Sequence, residues 1–269
     1  MPPNQLEGNY REMISTAPSR NKGRRWVPLW YGGGILFIGT LWLFAARMTK
    51  SSLILPGPGE TVGALISLVQ HPRFLPALGA SLGRVGLALL IVFPLSLMVG
   101  IPAALSKPFG AFFKPLFTLI GATPVLSIIL IAFLWFGQER TPVFAAVLMV
   151  FPVLTANVIA GIQQLDQGLK EVVQVYRLSP LRSFRAFIFP SIVPYLLGGL
   201  QSGLSLCWKV VVASEVLLQP RYGLGTGMQQ AKAMLETPDL FAWTVVTVAL
   251  AGFMEACLYW IRRYETQYR

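Results

Sequence analysis

Six apolar stretches, each long enough to cross a bilayer as a helix, constrain this chain more than any other feature of its sequence. About 20 apolar residues in a helix span the hydrocarbon core, and backbone groups there must be bonded within their own segment. The sequence therefore predicts an all-α membrane protein with six transmembrane helices. We place them at about residues 28–46, 78–105, 112–136, 143–162, 187–216 and 240–261.

Composition and charge agree with a membrane protein. Only 12% of the 269 residues are charged, against about 25% in soluble domains, which excludes a soluble globular or disordered chain. The net charge of +11 indicates basic residues massed at a lipid surface rather than nucleic-acid binding, since no basic stripe carries interleaved aromatic residues.

The distribution of basic residues predicts the orientation. With the N-terminus inside, fourteen of the 22 Lys and Arg residues lie on the cytoplasmic side and six outside, and Arg84 and Lys209 lie within spans. This asymmetry predicts that both termini are cytoplasmic. We divide the chain into a cytoplasmic N-terminal segment (1–27), read as uncleaved, a six-helix membrane domain (28–262) and a cytoplasmic tail (263–269).

One cytoplasmic connection, residues 163–186, differs from an ordinary loop. Apolar residues recur in it at helical spacing, and Ser179-Pro180 is a typical helix start. Arg182 lies on the polar face of the second amphipathic stretch. We expect two short amphipathic helices here that dock another protein.

The sequence encodes no recognisable catalytic chemistry. A P-loop requires Gly-Lys followed by Ser or Thr, and the chain contains no Gly-Lys pair. A single histidine, His71, excludes a metalloprotease His pair, and the two cysteines lie in apolar stretches. We expect no catalytic residue, no metal site and no cofactor in this chain.

Polar residues inside the spans are costly unless they have a partner or a purpose. Lys209 is the outlier, and four interpretations of it are open. Its ammonium group snorkels to the outer headgroups, pairs with Glu215, faces a water-filled path or binds an anion. Ser202, Ser205 and Lys209 follow the spacing of one helix face. The candidate path residues are Thr123, Asn157, Gln201, Ser202, Ser205, Lys209 and Glu215.

The connection at residues 163–186 also carries a family signature. Glu171-Val172-Val173, then Arg177, then Phe189-Pro190 resembles the Glu-Ala-Ala loop of ATP-binding-cassette (ABC) importer permeases. Glu171 and Pro190 match, whereas both alanines are valine and the family glycine is Arg177. Four further segments are similar to the nitrate, sulfonate, taurine and bicarbonate permease subfamily: Leu55-Pro56-Gly57-Pro58, Ser81-Leu82-Gly83-Arg84-Val85, Leu134-Trp135-Phe136-Gly137, and Val211-Val212-Ala213-Ser214-Glu215 followed by Gly223-Leu224-Gly225.

The resemblance implies a type I importer permease architecture in a bacterial inner membrane. Two permease copies, expected to be identical, would form the path. Two ABC ATPase subunits would bind ATP and Mg, and a periplasmic or lipid-anchored binding protein would deliver substrate. The resemblance also implies an ATPase-coupling element that comprises Glu171, Val172, Val173, Arg177, Ser179, Pro180, Arg182 and Pro190.

Several alternatives remain open from the sequence. The substrate implied is a small anion or small organic solute of the nitrate, sulfonate, taurine or bicarbonate type, or else a thiamine-precursor pyrimidine or other vitamin-like solute. A membrane-embedded enzyme would require a cluster of carboxylates or histidines, which is not evident. A membrane scaffold would not require polar groups in the fifth span, and the Glu171 loop favours import over export.

Overall fold

The computed structural model describes residues 27–164, 179, 182 and 189–267, and these residues contain helices and connections without a strand. The helices are α1 (Val27–Thr49), α2 (Pro58–Gln70), α3 (Phe74–Leu105), α4 (Lys107–Ala122), α5 (Val125–Gln163), α6 (Phe189–Leu218), α7 (Leu224–Ala233) and α8 (Thr237–Gln267). This confirms the all-α prediction for the described part of the chain.

Five of these helices are long and apolar enough to cross a membrane. The qualifying stretches lie in α1, α3, α5, α6 and α8, within the described residues: Gly32–Thr49, Phe74–Leu105, Val125–Gln163, Ile192–Leu218 and Thr237–Trp260. The described residues therefore contain five candidate membrane spans. Six spans and cytoplasmic termini stay predictions.

The described residues divide into two compact units, the first ending at Pro58 and the second beginning at Gly59. In the first unit, the indole Nε1 of Trp42 donates a hydrogen bond of 3.1 Å to the carbonyl oxygen of Pro56. This bond holds the connection that follows α1 against the helix. The second unit contains nearly all of α2 and the whole of α3 to α8.

The core of the second unit lies where α5 packs between α3 and α6. Val85, Ile129, Val150 and Val211 are fully buried there. Glycine lets α5 and α6 approach closely, because a Cβ atom added to Gly199 would lie 2.7 Å from the Cβ of Asn157. A Cβ on Gly203 would lie 3.1 Å from Val150 Cγ1, so small residues set this helix–helix contact.

The third predicted span, residues 112–136, is not one continuous helix, and that prediction was wrong. α4 ends at Ala122 and α5 begins at Val125. Thr123 is extended, with φ −79° and ψ 128°. The cause is Pro124, since a proline ring disfavours helical geometry in the residue before it.

The predicted spans 112–136 and 143–162 leave residues 137–142 as the connection between them, and this connection is much shorter in the structure. Only Gly137 departs from helical geometry, with φ +66° and ψ −179°, which a residue with a Cβ rarely adopts. The Thr141 hydroxyl donates a hydrogen bond of 2.7 Å to the Gly137 carbonyl oxygen. α5 is therefore two helical segments joined at a single glycine.

Two short helices flank the long ones. α2 (Pro58–Gln70) lies in the connection between the first two predicted spans. α7 (Leu224–Ala233) was missed, because its Gly-Leu-Gly-Thr-Gly start is typical of a loop. Packing overrides that tendency: Leu224 is fully buried, and a Cβ on Gly227 would collide with the Trp243 ring of α8.

Candidate functional site: a buried charge network and a polar stripe

Two opposite charges inside apolar helices meet in the second unit. Arg84 of α3 places Nη1 2.6 Å from Oε1 of Glu215 in α6. Glu215 is fully buried, and the Ser81 hydroxyl lies 2.7 and 2.8 Å from its two carboxylate oxygens. A buried carboxylate is tolerated only when it is paired and hydrogen-bonded, and Ser81 and Arg84 supply both requirements.

Arg84 also contacts two other parts of the chain. Its Nη2 lies 2.8 Å from Oε2 of Glu139 in α5, and its Nη1 donates to the Tyr222 carbonyl oxygen at 2.7 Å. The other Glu139 oxygen accepts a bond of 2.7 Å from the Arg221 backbone N–H. One guanidinium therefore connects α3, α5, α6 and the segment that precedes α7.

The start of α7 completes the arrangement with backbone donors. The Gly225 N–H donates to Glu215 Oε2 at 3.1 Å, and the Leu224 N–H donates to the Ser81 hydroxyl oxygen at 2.9 Å. A Cβ on Gly223 would lie 2.6 Å from Glu215 Cδ, and one on Gly225 would lie 2.7 Å from the Val216 nitrogen. We name Ser81, Arg84, Glu139, Glu215 and the segment 221–225 the Glu215 network.

The Glu215 network anchors α7 to the bundle. Both carboxylate oxygens of Glu215 already accept bonds from protein donors, so the group is engaged rather than free to act as an acid, base or ligand. No group of three or more metal-ligating side chains occurs among the residues that the structure describes. The role of Glu215 in a translocation path stays a prediction.

Lys209 lies on α6, six residues before Glu215, and does not pair with it. Its side chain is exposed and makes no ion pair or hydrogen bond with any residue in the described ranges. Ser202 on the same face is exposed and donates to the Gly198 carbonyl oxygen at 3.2 Å. Gln201 and Ser205 are half-buried. We name Ser202, Ser205 and Lys209 the α6 polar stripe.

The two other predicted path residues bond within their own chain segments. The Thr123 hydroxyl donates to the Leu119 carbonyl oxygen at 2.7 Å, and the Asn157 amide donates to the Val153 carbonyl oxygen at 2.8 Å. Such bonds satisfy polar groups in apolar surroundings. Neither residue contacts the α6 polar stripe through a hydrogen bond.

The predicted coupling element is only partly visible. Glu171, Val172, Val173, Arg177 and Pro180 lie outside the described residues. Ser179 and Arg182 are described and exposed, and Pro190 is the second residue of α6. The coupling assignment stays a prediction for all of them.

Three residues of the Glu215 network were missed as candidate site residues: Ser81, Arg84 and Glu139. A signal was present, because Arg84 and Glu215 are opposite charges placed in apolar spans, and such charges pair. Two of the four matches that carry the family resemblance, 81–85 and the pair 211–215 and 223–225, meet in this network.

Comparisons with known proteins agree with this architecture. The family model described as "Binding-protein-dependent transport system inner membrane component" matches residues 93–264. The taurine transport system permease protein of Escherichia coli (strain K12) is 29% identical over 85% of this chain and 87% of its own length. The bicarbonate transport system permease protein of Synechococcus elongatus is 25% identical over 69% of this chain and 67% of its own length.

A solved structure supports the fold independently. The inward-facing MetNI methionine ABC transporter contains a chain that matches with a TM-score of 0.60 and 15% identity. The match covers 72% of the present chain and 96% of the other. The shared feature is the helical arrangement.

Proposed function

Because the chain belongs to the family of binding-protein-dependent transport system inner membrane components, we propose that it forms the translocation path of an importer for a small anion. The chain is a permease subunit and not itself an enzyme, and ATP hydrolysis belongs to a partner subunit. The single observation that carries the anion proposal is the free, exposed ammonium group of Lys209 within an apolar helix.

The α6 polar stripe has the chemistry that an anion path requires. Two hydroxyl groups precede the cation on one helix face, while the opposite face of α6 carries the buried Cys207, Val210 and Val211. A charge at bilayer depth costs about 2.5–3.5 kcal/mol on insertion scales, and Glu215 does not offset that cost for Lys209. A substrate anion beside the ammonium group would offset the cost of placing Lys209 at this depth.

The names of the relatives favour the same substrate class. Taurine carries a sulfonate, and bicarbonate is an anion, so both present negatively charged oxygens. We propose a small oxoanion or organic sulfonate as the substrate of this chain. A vitamin-like solute without negative charge is the second candidate, and ligand screening of the cognate binding protein would distinguish the two.

Replacing Lys209 by methionine is expected to lower uptake by about tenfold to a hundredfold, the range for losing one charge-assisted hydrogen bond. Lys209→Arg should retain part of the activity, because it keeps the positive charge. Uptake would be measured in proteoliposomes that contain the whole transporter and its binding protein. Lys232→Met, an exposed lysine on α7, is the matched control. Wild-type uptake by Lys209→Met, with a neutral ligand on the binding protein, would contradict the proposal.

We further propose that the segment 163–186 couples the permease to the ATPase. α5 ends at Gln163 and α6 begins at Phe189, so the segment joins two helices of the core. This supports a role in which motion of a docked subunit reaches both helices. The proposed assembly contains two permease copies, two ATPase subunits and one binding protein, with both permease termini in the cytoplasm of a bacterial cell.

Glu171→Ala is expected to reduce uptake by about fivefold or more relative to membrane abundance, since a charged contact at the docking site is lost. Glu171→Lys should reduce it further by charge reversal. Uptake and the stimulation of ATP hydrolysis by the loaded binding protein would be measured together. Glu236→Ala, an exposed glutamate before α8, serves as the control. Normal coupling in both Glu171 variants would remove this residue from the interface.

A further inference from the structure

An apolar groove runs along the junction of α3 and α5. It has a volume of about 590 Å³, within the range of about 300–1,000 Å³ that is usual for ligand sites. α3 contributes Gly79, Gly83, Leu87 and Ile91 at four-residue spacing, and α5 contributes apolar residues from Phe136 to Val147. We name this feature the α3–α5 groove.

The groove exists because small residues leave its floor open. A Cβ on Gly79 or Gly83 would meet no atom within 4 Å. Leu87 and Ile91 on its wall are 48% and 43% exposed. This is the opposite of Gly199 and Gly203, where a neighbouring helix fills the space. The Gly79/Gly83 pair therefore leaves the α3–α5 groove open in the protein surface and does not form a helix–helix contact.

The groove is charged at one end only. Arg84 and Glu139 line that end but bond to each other and to the rest of the Glu215 network. Arg140 also lines it, is exposed, and has no ion pair or hydrogen bond with any residue in the described part of the chain. The guanidinium of Arg140 is therefore a cation without a described partner at one end of the apolar α3–α5 groove.

We propose that the α3–α5 groove binds a phospholipid. Its acyl chain lies along Gly83, Leu87 and Ile91, and its phosphate contacts Arg140. An amphiphile with one anionic end and a long apolar tail matches both the apolar walls and the single free charge. A small polar substrate would gain little from Leu87, Ile91 and Val147. The groove is also separate from the α6 polar stripe, none of whose residues line it.

The test uses the whole transporter in vesicles of phosphatidylglycerol and phosphatidylethanolamine. A trace of phosphatidylglycerol with a photoactivatable acyl chain would label contacting residues, which fragmentation mass spectrometry locates. Leu87 and Ile91 should be labelled more than Leu90, which is 72% exposed on another face of α3. Gly83→Leu should lower this labelling by about tenfold, because the leucine side chain fills the part of the α3–α5 groove that would hold several methylene groups of the acyl chain. Arg140→Gln should lower it by about fivefold, the effect expected for one basic residue at a lipid surface.

Gly86→Leu is the matched control, because Gly86 is exposed on α3, has open space at its Cβ position and does not line the groove. It should leave the labelling of Leu87 and Ile91 unchanged. Equal labelling in Gly83→Leu and Gly86→Leu would overturn the proposal. A disulfide formed between two copies of a Leu87→Cys variant, or between that cysteine and one placed on α1, would also overturn it, because protein would then cover the groove.

Discussion

Replacing Arg84 by methionine is expected to destabilise the second unit by about 3–5 kcal/mol, the range for removing one partner of a buried ion pair. The Glu215 carboxylate would keep its bonds from Ser81 and Gly225 but would lose its salt bridge with Arg84. The Tyr222 carbonyl oxygen and Glu139 would lose a donor as well. The midpoint of thermal unfolding of the detergent-solubilised chain, followed by size exclusion after heating, measures the loss.

Two controls separate the buried pair from exposed charge. Arg140→Met removes the neighbouring arginine that has no partner in the described residues, and we expect a change within about 0.5 kcal/mol. Glu139→Gln breaks the half-exposed arm of the network and should cost about 1 kcal/mol or less. If Arg84→Met unfolded at the same temperature as Arg140→Met, the Glu215 network would not anchor α7 to the bundle.

Alanine at Gly225 is expected to cost about 3 kcal/mol, the upper part of the range for overpacking a filled site. The new Cβ would collide with the Val212 carbonyl oxygen and lie 2.8 Å from Glu215 Cβ. Neither neighbour is the flexible end of a side chain, so α7 would have to move away from α6. That shift would lengthen the bond from the Gly225 N–H to Glu215.

The same substitution at Gly86 gives the contrast. Gly86 lies inside α3 with open space around it, so alanine there should stabilise the helix by about 0.5–1 kcal/mol. Opposite shifts of the unfolding midpoint for Gly225→Ala and Gly86→Ala would establish the close approach of α6 and α7. Equal midpoints would show that α7 is not packed against α6 at Gly225.

The sequence predicts the long helices well, because uninterrupted apolar residues leave a chain few other conformations in lipid. It does not predict where the pattern fails: residues 112–136 were predicted as one span, which Pro124 breaks, and Gly137 alone forms the connection that the span limits placed at residues 137–142. The helix α7 is harder to predict. Its glycines have poor helix propensity, and the contacts that stabilise it come from Glu215 and Trp243.

For the Glu215 network, the sequence allows a prediction that opposite charges pair, but it does not identify which residues pair with each other. Arg84 and Glu215 are separated by 131 residues, and sequence spacing carries no information about contacts at that distance. That two opposite charges in apolar helices should pair was predictable from the cost of burying each one. The backbone donors Leu224 and Gly225 leave no trace in side-chain chemistry, so only the fold identifies them.

The close packing of α5 on α6 at Gly199 and Gly203 has a mechanical consequence. α6 is 30 residues long, which corresponds to about 45 Å at the helical rise per residue. Because α5 side chains pack against the α6 backbone at Gly199 and Gly203, and Glu215 bonds the far end of α6 to α7, we expect these elements to move together. A tilt of about 5° at Phe189 would displace Leu218 by about 4 Å over that length. A small rotation at the start of α6 would therefore displace α7 by more than the diameter of a water molecule.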